Sequence, residues 1–181
     1  MALISLIGLP GSGKTTVGWS LARRLKLDFV DSDQVITQRL GCSIREFFDS
    51  AGEEKFRDIE QEVIEEMTSV RQGVLSTGGG VVVRAQNRQA LSSRSEVIYL
   101  RSTPEEIYRR LRHDQSRPLL QVADPLERLR ELFGQRDPLY QETAAYVVDT
   151  QRPSASKVLN MIVMQLELSG KIPVSHTQVG A

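Results

Sequence analysis

Apolar residues fall along this chain in two alternating rhythms. The run ALISLIG, apolar but for Ser5, opens it and passes at Gly8 into GLPGSGKTTVGWSLARRL, where Val17, Leu21, Ala22 and Leu25 recur at helical spacing. The first rhythm is that of a strand buried on both faces, the second that of a helix with one face turned inward. LDFVD, GVLSTGGG, EVIYLRS and AYVVDT repeat the strand type. From Gly52 to Arg71 the positions Phe56, Ile59, Val63, Met67 and Val70 step by three or four, and a further helix is predicted from about Arg84. Thr103, Pro104 and Glu106 give TPEEIYRRL a capped start, DPLERLRELFGQR opens another capped helix, and Ser154 begins a last one with Ala155, Val158, Ile162 and Leu166 inward.

Strands alternating with helices predict a three-layer α/β/α sandwich around a mostly parallel sheet, with ligands beyond the carboxyl ends of the strands. No repeat or linker divides the chain. Residues 1–170 therefore read as one domain, and 171–181, polar and aperiodic, as a flexible tail. Residues 112–124 are polar and basic, lack an apolar stripe and lie between two capped helices, the pattern of a mobile lid.

Composition then narrows the function classes. Lys and Arg number 23, as do Asp and Glu, so the net charge is zero and there is no general attraction to nucleic acid or anionic lipid. Any anion site must be local. One cysteine, Cys42, excludes an intrachain disulfide framework, and no stretch approaches the roughly 20 apolar residues that span a bilayer. A cytoplasmic monomer with neither nucleic acid nor membrane as partner is expected. His113 and His176 stand far apart without metal-ligand neighbours, and Cys42 and Trp19 read as packing or surface residues.

GLPGSGKT, Gly8 to Thr15, matches the phosphate-binding loop G-x-x-x-x-G-K-[ST] at every fixed position, in the strand-to-helix context that the motif needs. Backbone amides from Gly11, Ser12 and Gly13 through Thr16 can surround phosphate oxygens at a helix amino terminus. Lys14 reaches the outer phosphates and the Thr15 hydroxyl faces Mg²⁺. The N/T-K-x-D guanine signature is missing, which makes ATP the default donor.

The acceptor is the open question: water for a motor or switch, a metabolite for a kinase. Asp31 and Asp33 end an apolar run one residue apart, a spacing that puts both on one face of a strand. Arg57 sits beside its helix's apolar stripe between Glu53 and Glu60, Gly78 to Gly80 offer bare backbone, and Arg136 ends a helix. Taken singly each has a local explanation: a helix cap for Asp33, an intrahelical ion pair for Arg57, a cation at a helix carboxyl end for Arg136. Together they suit an anionic, polyhydroxylated acceptor, with guanidinium for carboxylate and Asp for hydroxyl.

GLPGSGKTTVG, DSD, FRDIE, STGGG, RPLL and DPLERLRELFGQRDPLYQETA, in this order and spacing from about Ile4 to Pro153, resemble the shikimate kinase family. The resemblance implies a compact nucleoside monophosphate kinase-like fold with a five-stranded parallel sheet in order 2-3-1-4-5. It also implies transfer of phosphate from ATP, with Mg²⁺, to the 3-hydroxyl of shikimate in aromatic amino acid biosynthesis. By position, Lys14 and Thr15 correspond to the phosphate lysine and a magnesium ligand, and Asp31 to an aspartate that meets the ion through water. Asp33 corresponds to the residue that holds the acceptor hydroxyls and can take the proton. Arg57 and Arg136 correspond to the carboxylate grip, with Gly78, Gly79 and Gly80 as close backbone. Arg117 in RPLL matches the lid arginine, while Arg110, Arg152 and Pro153 match the adenine enclosure. The family usually has D-T-D where this chain has Asp31, Ser32 and Asp33.

Overall fold

A computed structural model describes residues 3–70, 72–112, 122–150 and 154–174. Its centre is a five-stranded, wholly parallel sheet in the order β2-β3-β1-β4-β5. The strands are β1 (Leu3–Ile7), β2 (Phe29–Asp31), β3 (Val74–Ser76), β4 (Ser95–Arg101) and β5 (Tyr146–Asp149). Both faces are covered, which is why β1, apart from Ser5, and the middle of β4 read as apolar runs rather than alternating ones.

The period of two decides which side chain enters which layer. Leu3 and Ile7 of β1 and Val97 and Tyr99 of β4 join one cluster with α2 (Ser32–Leu40), α4 (Glu53–Val70), α5 (Ala85–Arg94), α6 (Pro104–Leu111) and α7 (Pro125–Thr143). Ile4 and Leu6, with Ile98 and Leu100, join the opposite cluster with α1 (Lys14–Leu25) and α8 (Ala155–Leu168). These are the three expected layers. The chain leaves β1 for α1 on one face and leaves the adjacent β3 for α5 on the other, so a crevice opens at the carboxyl ends of these strands.

Several local expectations change. A helix that periodicity did not reveal, α3 (Ile44–Ala51), precedes α4; it is started by a reciprocal capping box between Ser43 and Glu46. Helix α7 continues through Pro138 to Thr143, so Arg136 is in its interior, not at its carboxyl end. Pro138 costs α7 a backbone donor, but Gly134, four residues earlier, has open space around it, and Leu129, Leu132, Tyr140 and Thr143 are buried on both sides of the proline. Ala155 is exposed, while Val158, Ile162 and Leu166 of α8 point inward as expected. The chain stays packed past residue 171: Lys171 pairs with Glu96 and Ile172 is buried, so the loose tail cannot begin at 171. Residues 113–121, 151–153 and 175–181 lie outside the described residues; with them lie Arg117, Arg152, Pro153 and most of the expected lid.

Candidate active site

The crevice beyond β1 holds two adjoining cavities, of about 510 and 360 Å³, which share Gly13, Thr16 and Arg110. Gly13 caps α1 with φ at 94°, a left-handed conformation that favours glycine. Lys14 folds back over the loop and donates to the carbonyls of Gly8 and Leu9, each at 2.9 Å. The larger cavity is closed by Ser12, Val17, Glu106, Arg109, Thr150, Ser154, Ala155 and Val158. Arg110 is fastened at its rim, donating to the Thr150 carbonyl at 2.7 Å and pairing with Glu106 at 3.2 Å. Thr103 caps α6, as its sequence predicts, through the Glu106 N–H.

The smaller cavity is lined by Gly11, Lys14, Thr15, Asp31, Asp33, Thr77 and Gly79, among others. Strand β2 does not adjoin β1, since β3 lies between them. Its terminal carboxylate nevertheless reaches the phosphate loop: the Thr15 hydroxyl donates to Asp31 Oδ2 at 2.8 Å. Asp31 Oδ1 accepts the Asp33 N–H at 3.0 Å, so Asp31 is the cap of α2 and Asp33 lies in its first turn. The two carboxylates thus owe their proximity to a strand-to-helix corner, not to a shared strand face, and Asp33 is not the helix cap. With that duty taken by Asp31, Asp33 is left free of it and faces the glycine run, where a Cβ on Gly78 would fall 2.6 Å from its Oδ1.

Burial and the neighbouring Asp31 push the Asp33 carboxyl up to about 6, against the opposing pull of Lys14. It is a stronger base than an ordinary aspartate, yet ionised at neutral pH. Thr15 and Asp31 form an all-oxygen pair at the edge of the phosphate cavity. Among the described residues no cluster of three or more His, Cys, Asp or Glu could hold a metal alone. Two such oxygens suit Mg²⁺, which keeps several waters and leans on nucleotide phosphates.

Arg57, Gly78, Gly80 and Arg136 line neither cavity; they stand behind Asp33 and Gly79. Arg57 is only 6% exposed. It donates through Nη1 to Glu60 at 2.7 Å and through Nε and Nη2 to Glu53 at 3.3 and 3.0 Å. The local ion pairs expected from sequence are therefore real, but they use three of five N–H groups and leave one on each terminal nitrogen. Burial raises the Glu60 carboxyl, opposed by Arg57, Arg136 and Arg84. The Arg57 guanidinium lies so close to Gly80 that a Cβ there would have to displace it from its carboxylate partners. Gly79 abuts Pro10 of the phosphate loop, and its carbonyl accepts from Arg136 Nη1 at 3.1 Å and from the Tyr140 hydroxyl.

The structure thus brings Lys14, Thr15, Asp31, Asp33, Arg57, Gly78–80 and Arg136 around one crevice. Sequence reading missed Tyr140, whose only signal was its place four residues after Arg136, and Thr150, whose contribution is a backbone carbonyl.

Comparison with known proteins gives one answer. The shikimate kinase family model matches residues 10–167. A shikimate kinase of Paracidovorax citrulli is 58% identical over 175 residues, covering 95% of this chain and 96% of its own. The structure of a shikimate kinase from Acinetobacter baumannii in complex with shikimate is 42% identical, with TM-score 0.88 over 95% of this chain and 96% of that one. A Bacteroides thetaiotaomicron shikimate kinase structure is 29% identical with TM-score 0.84, covering 92% of this chain and 98% of that chain.

Proposed function

The chain belongs to the shikimate kinase family, and from that premise we propose that it transfers the γ-phosphoryl group of ATP to the 3-hydroxyl of shikimate, giving shikimate 3-phosphate and ADP. The observation that carries this reading is the joined pair of cavities. One side is bounded by α1, α6 and Thr150 and suits a nucleotide; the other ends on Asp33 and Gly79, with two arginines behind them.

Phosphoryl transfer asks a protein chiefly for alignment and charge stabilisation. Lys14 leaves its loop carbonyls for the outer phosphates, and the amides of Gly11 to Thr16 take the remaining oxygens. Arg110 borders the base side, with Arg152 and Pro153 assigned there by family position. Arg117, likewise assigned, meets the transferring group. Thr15 and Asp31 would hold Mg²⁺, which when bound offsets the charge of the phosphate oxygens. The remaining N–H groups of Arg57, with Arg136, grip the acceptor carboxylate, and Gly78 to Gly80 let the ring lie close against backbone. Asp33 then holds the 3-hydroxyl in line. Its raised basicity suits it to accept the proton as the oxygen–phosphorus bond forms.

Coupled ADP release with ATP and Mg²⁺ tests the proposal against a panel of shikimate, quinate, gluconate and nucleoside monophosphates. Saturable release with shikimate alone is expected; stimulation by another member and none by shikimate would assign a different metabolite kinase.

A further inference from the structure

We infer that Tyr140 is a positioning residue for the acceptor: its hydroxyl holds the Gly79 carbonyl toward α7 and so turns the Gly80 N–H to the acceptor side. The inference rests on the proposed reading that shikimate occupies the cavity bounded by Asp33 and Gly79.

Arg136 and Tyr140 are four residues apart on α7 and so project from one face of the helix. Both donate to the same oxygen, Gly79 O, and fill its two lone pairs. Every described peptide bond is trans, and in a planar trans unit the N–H points opposite to the C=O. A Gly79 carbonyl drawn to α7 therefore sends the Gly80 N–H away from it. Gly80 is buried, yet among the described residues nothing accepts from that N–H. A buried donor without a partner is costly, and a ligand oxygen would complete it.

Glycines have no side chain to hold such a peptide, so its direction must be imposed from outside. Arg136 alone is a poor agent, because its donors are also wanted by the acceptor carboxylate. With the tyrosine present, the carbonyl keeps a partner when Arg136 engages the acceptor. The tyrosine itself is held firmly. It is 0% exposed, and its ring centroid lies 4.8 Å from that of Tyr99. The Tyr99 hydroxyl donates to Asp137 at 2.7 Å, and Asp137 also takes Arg101 and Gln141. Burial raises the Tyr140 phenol, which remains a donor across the working pH range. A buried tyrosine needs some acceptor whatever its role, so the test must separate positioning from packing.

Tyr140→Phe removes only the hydroxyl. KM for shikimate is expected to rise about fivefold or more, the worth of roughly one hydrogen bond, while KM for ATP changes less than about twofold. Tyr99→Phe, which cuts the bond to Asp137 and leaves Gly79 untouched, should lower the Tm without that rise. In wild-type protein carrying ¹⁵N-glycine, the Gly80 amide resonance should shift on saturation with shikimate. An unchanged shikimate KM in folded Tyr140→Phe, an equal rise in Tyr99→Phe, or a Gly80 amide that ignores shikimate would each overturn the inference. Should Tyr140→Phe fail to fold, a Gly80 amide that ignores shikimate in the wild type would still overturn the inference. A wild-type protein that does not use shikimate at all would instead overturn the functional reading beneath it.

Discussion

The two halves of the crevice are built in opposite ways. Most of the phosphate side comes from one unbroken segment, Gly8 to Thr16, whose strand, loop and helix present backbone to a ligand, with its lysine tied to the loop's own carbonyls. The acceptor side is gathered from four segments, at Asp33, Arg57–Glu60, Gly78–Gly80 and Arg136–Tyr140. Buried charge and shared hydrogen bonds hold it together. The first half is a local motif and tolerates change elsewhere. The second is a tertiary assembly in which each member depends on the others.

Substitutions should expose that difference. Lys14→Met should lower kcat about 10³-fold, the scale of losing a preorganised charge at the transition state, while leaving shikimate binding by calorimetry nearly intact. Strong loss of shikimate binding in this variant would show that the halves are not separable. Asp33→Asn should lower kcat about 10²-fold, as for loss of a general base. In the wild type, kcat/KM should fall as pH drops through about 6, the value to which the Asp33 carboxyl is raised, and the variant should lack that acid limb.

The same substitution should act oppositely on stability. A folded-state pKa raised above the ordinary 3.8 means that Asp33 contributes stability below about pH 4 and loses it as pH rises through about 6. Asp33→Asn should therefore be more stable than wild type at pH 7.5, by about 3 kcal/mol in denaturant titration. Equal midpoints would show that the carboxylate is not strained there.

Arg57→Ala should raise KM for shikimate roughly 30-fold with ATP binding spared, and should cost about 3 kcal/mol because Glu60 is left buried without its partner. Asp31→Asn should have the smallest effect, a roughly tenfold higher Mg²⁺ requirement, as for a group that orients or hydrates a metal site. A large loss of shikimate affinity in Asp31→Asn would move that residue from the first half to the second.

The same contrast explains what the sequence disclosed. The phosphate loop was legible residue by residue, because its geometry is encoded in nine consecutive positions. The sheet and most helices followed from periodicity. Strand order came from the resemblance alone, since no local pattern says that β3 lies between β2 and β1. Sequence puts Arg136 at the end of its helix, because Pro138 reads as a terminator, whereas Leu132 and Tyr140 are buried on either side of it. Asp33 reads as a cap because nothing in DSD says which carboxylate takes the helix amide. Tyr140 gave no signal beyond its place four residues after Arg136, since its partner is a backbone carbonyl 61 residues away.

The most direct test of the assigned chemistry is the ³¹P and ¹H spectrum of the product formed from ATP and shikimate with Mg²⁺. One new phosphomonoester resonance coupled to the ring proton at carbon 3, in step with ADP, is the predicted result. ADP accompanied only by inorganic phosphate, or an ester at another hydroxyl, would contradict it.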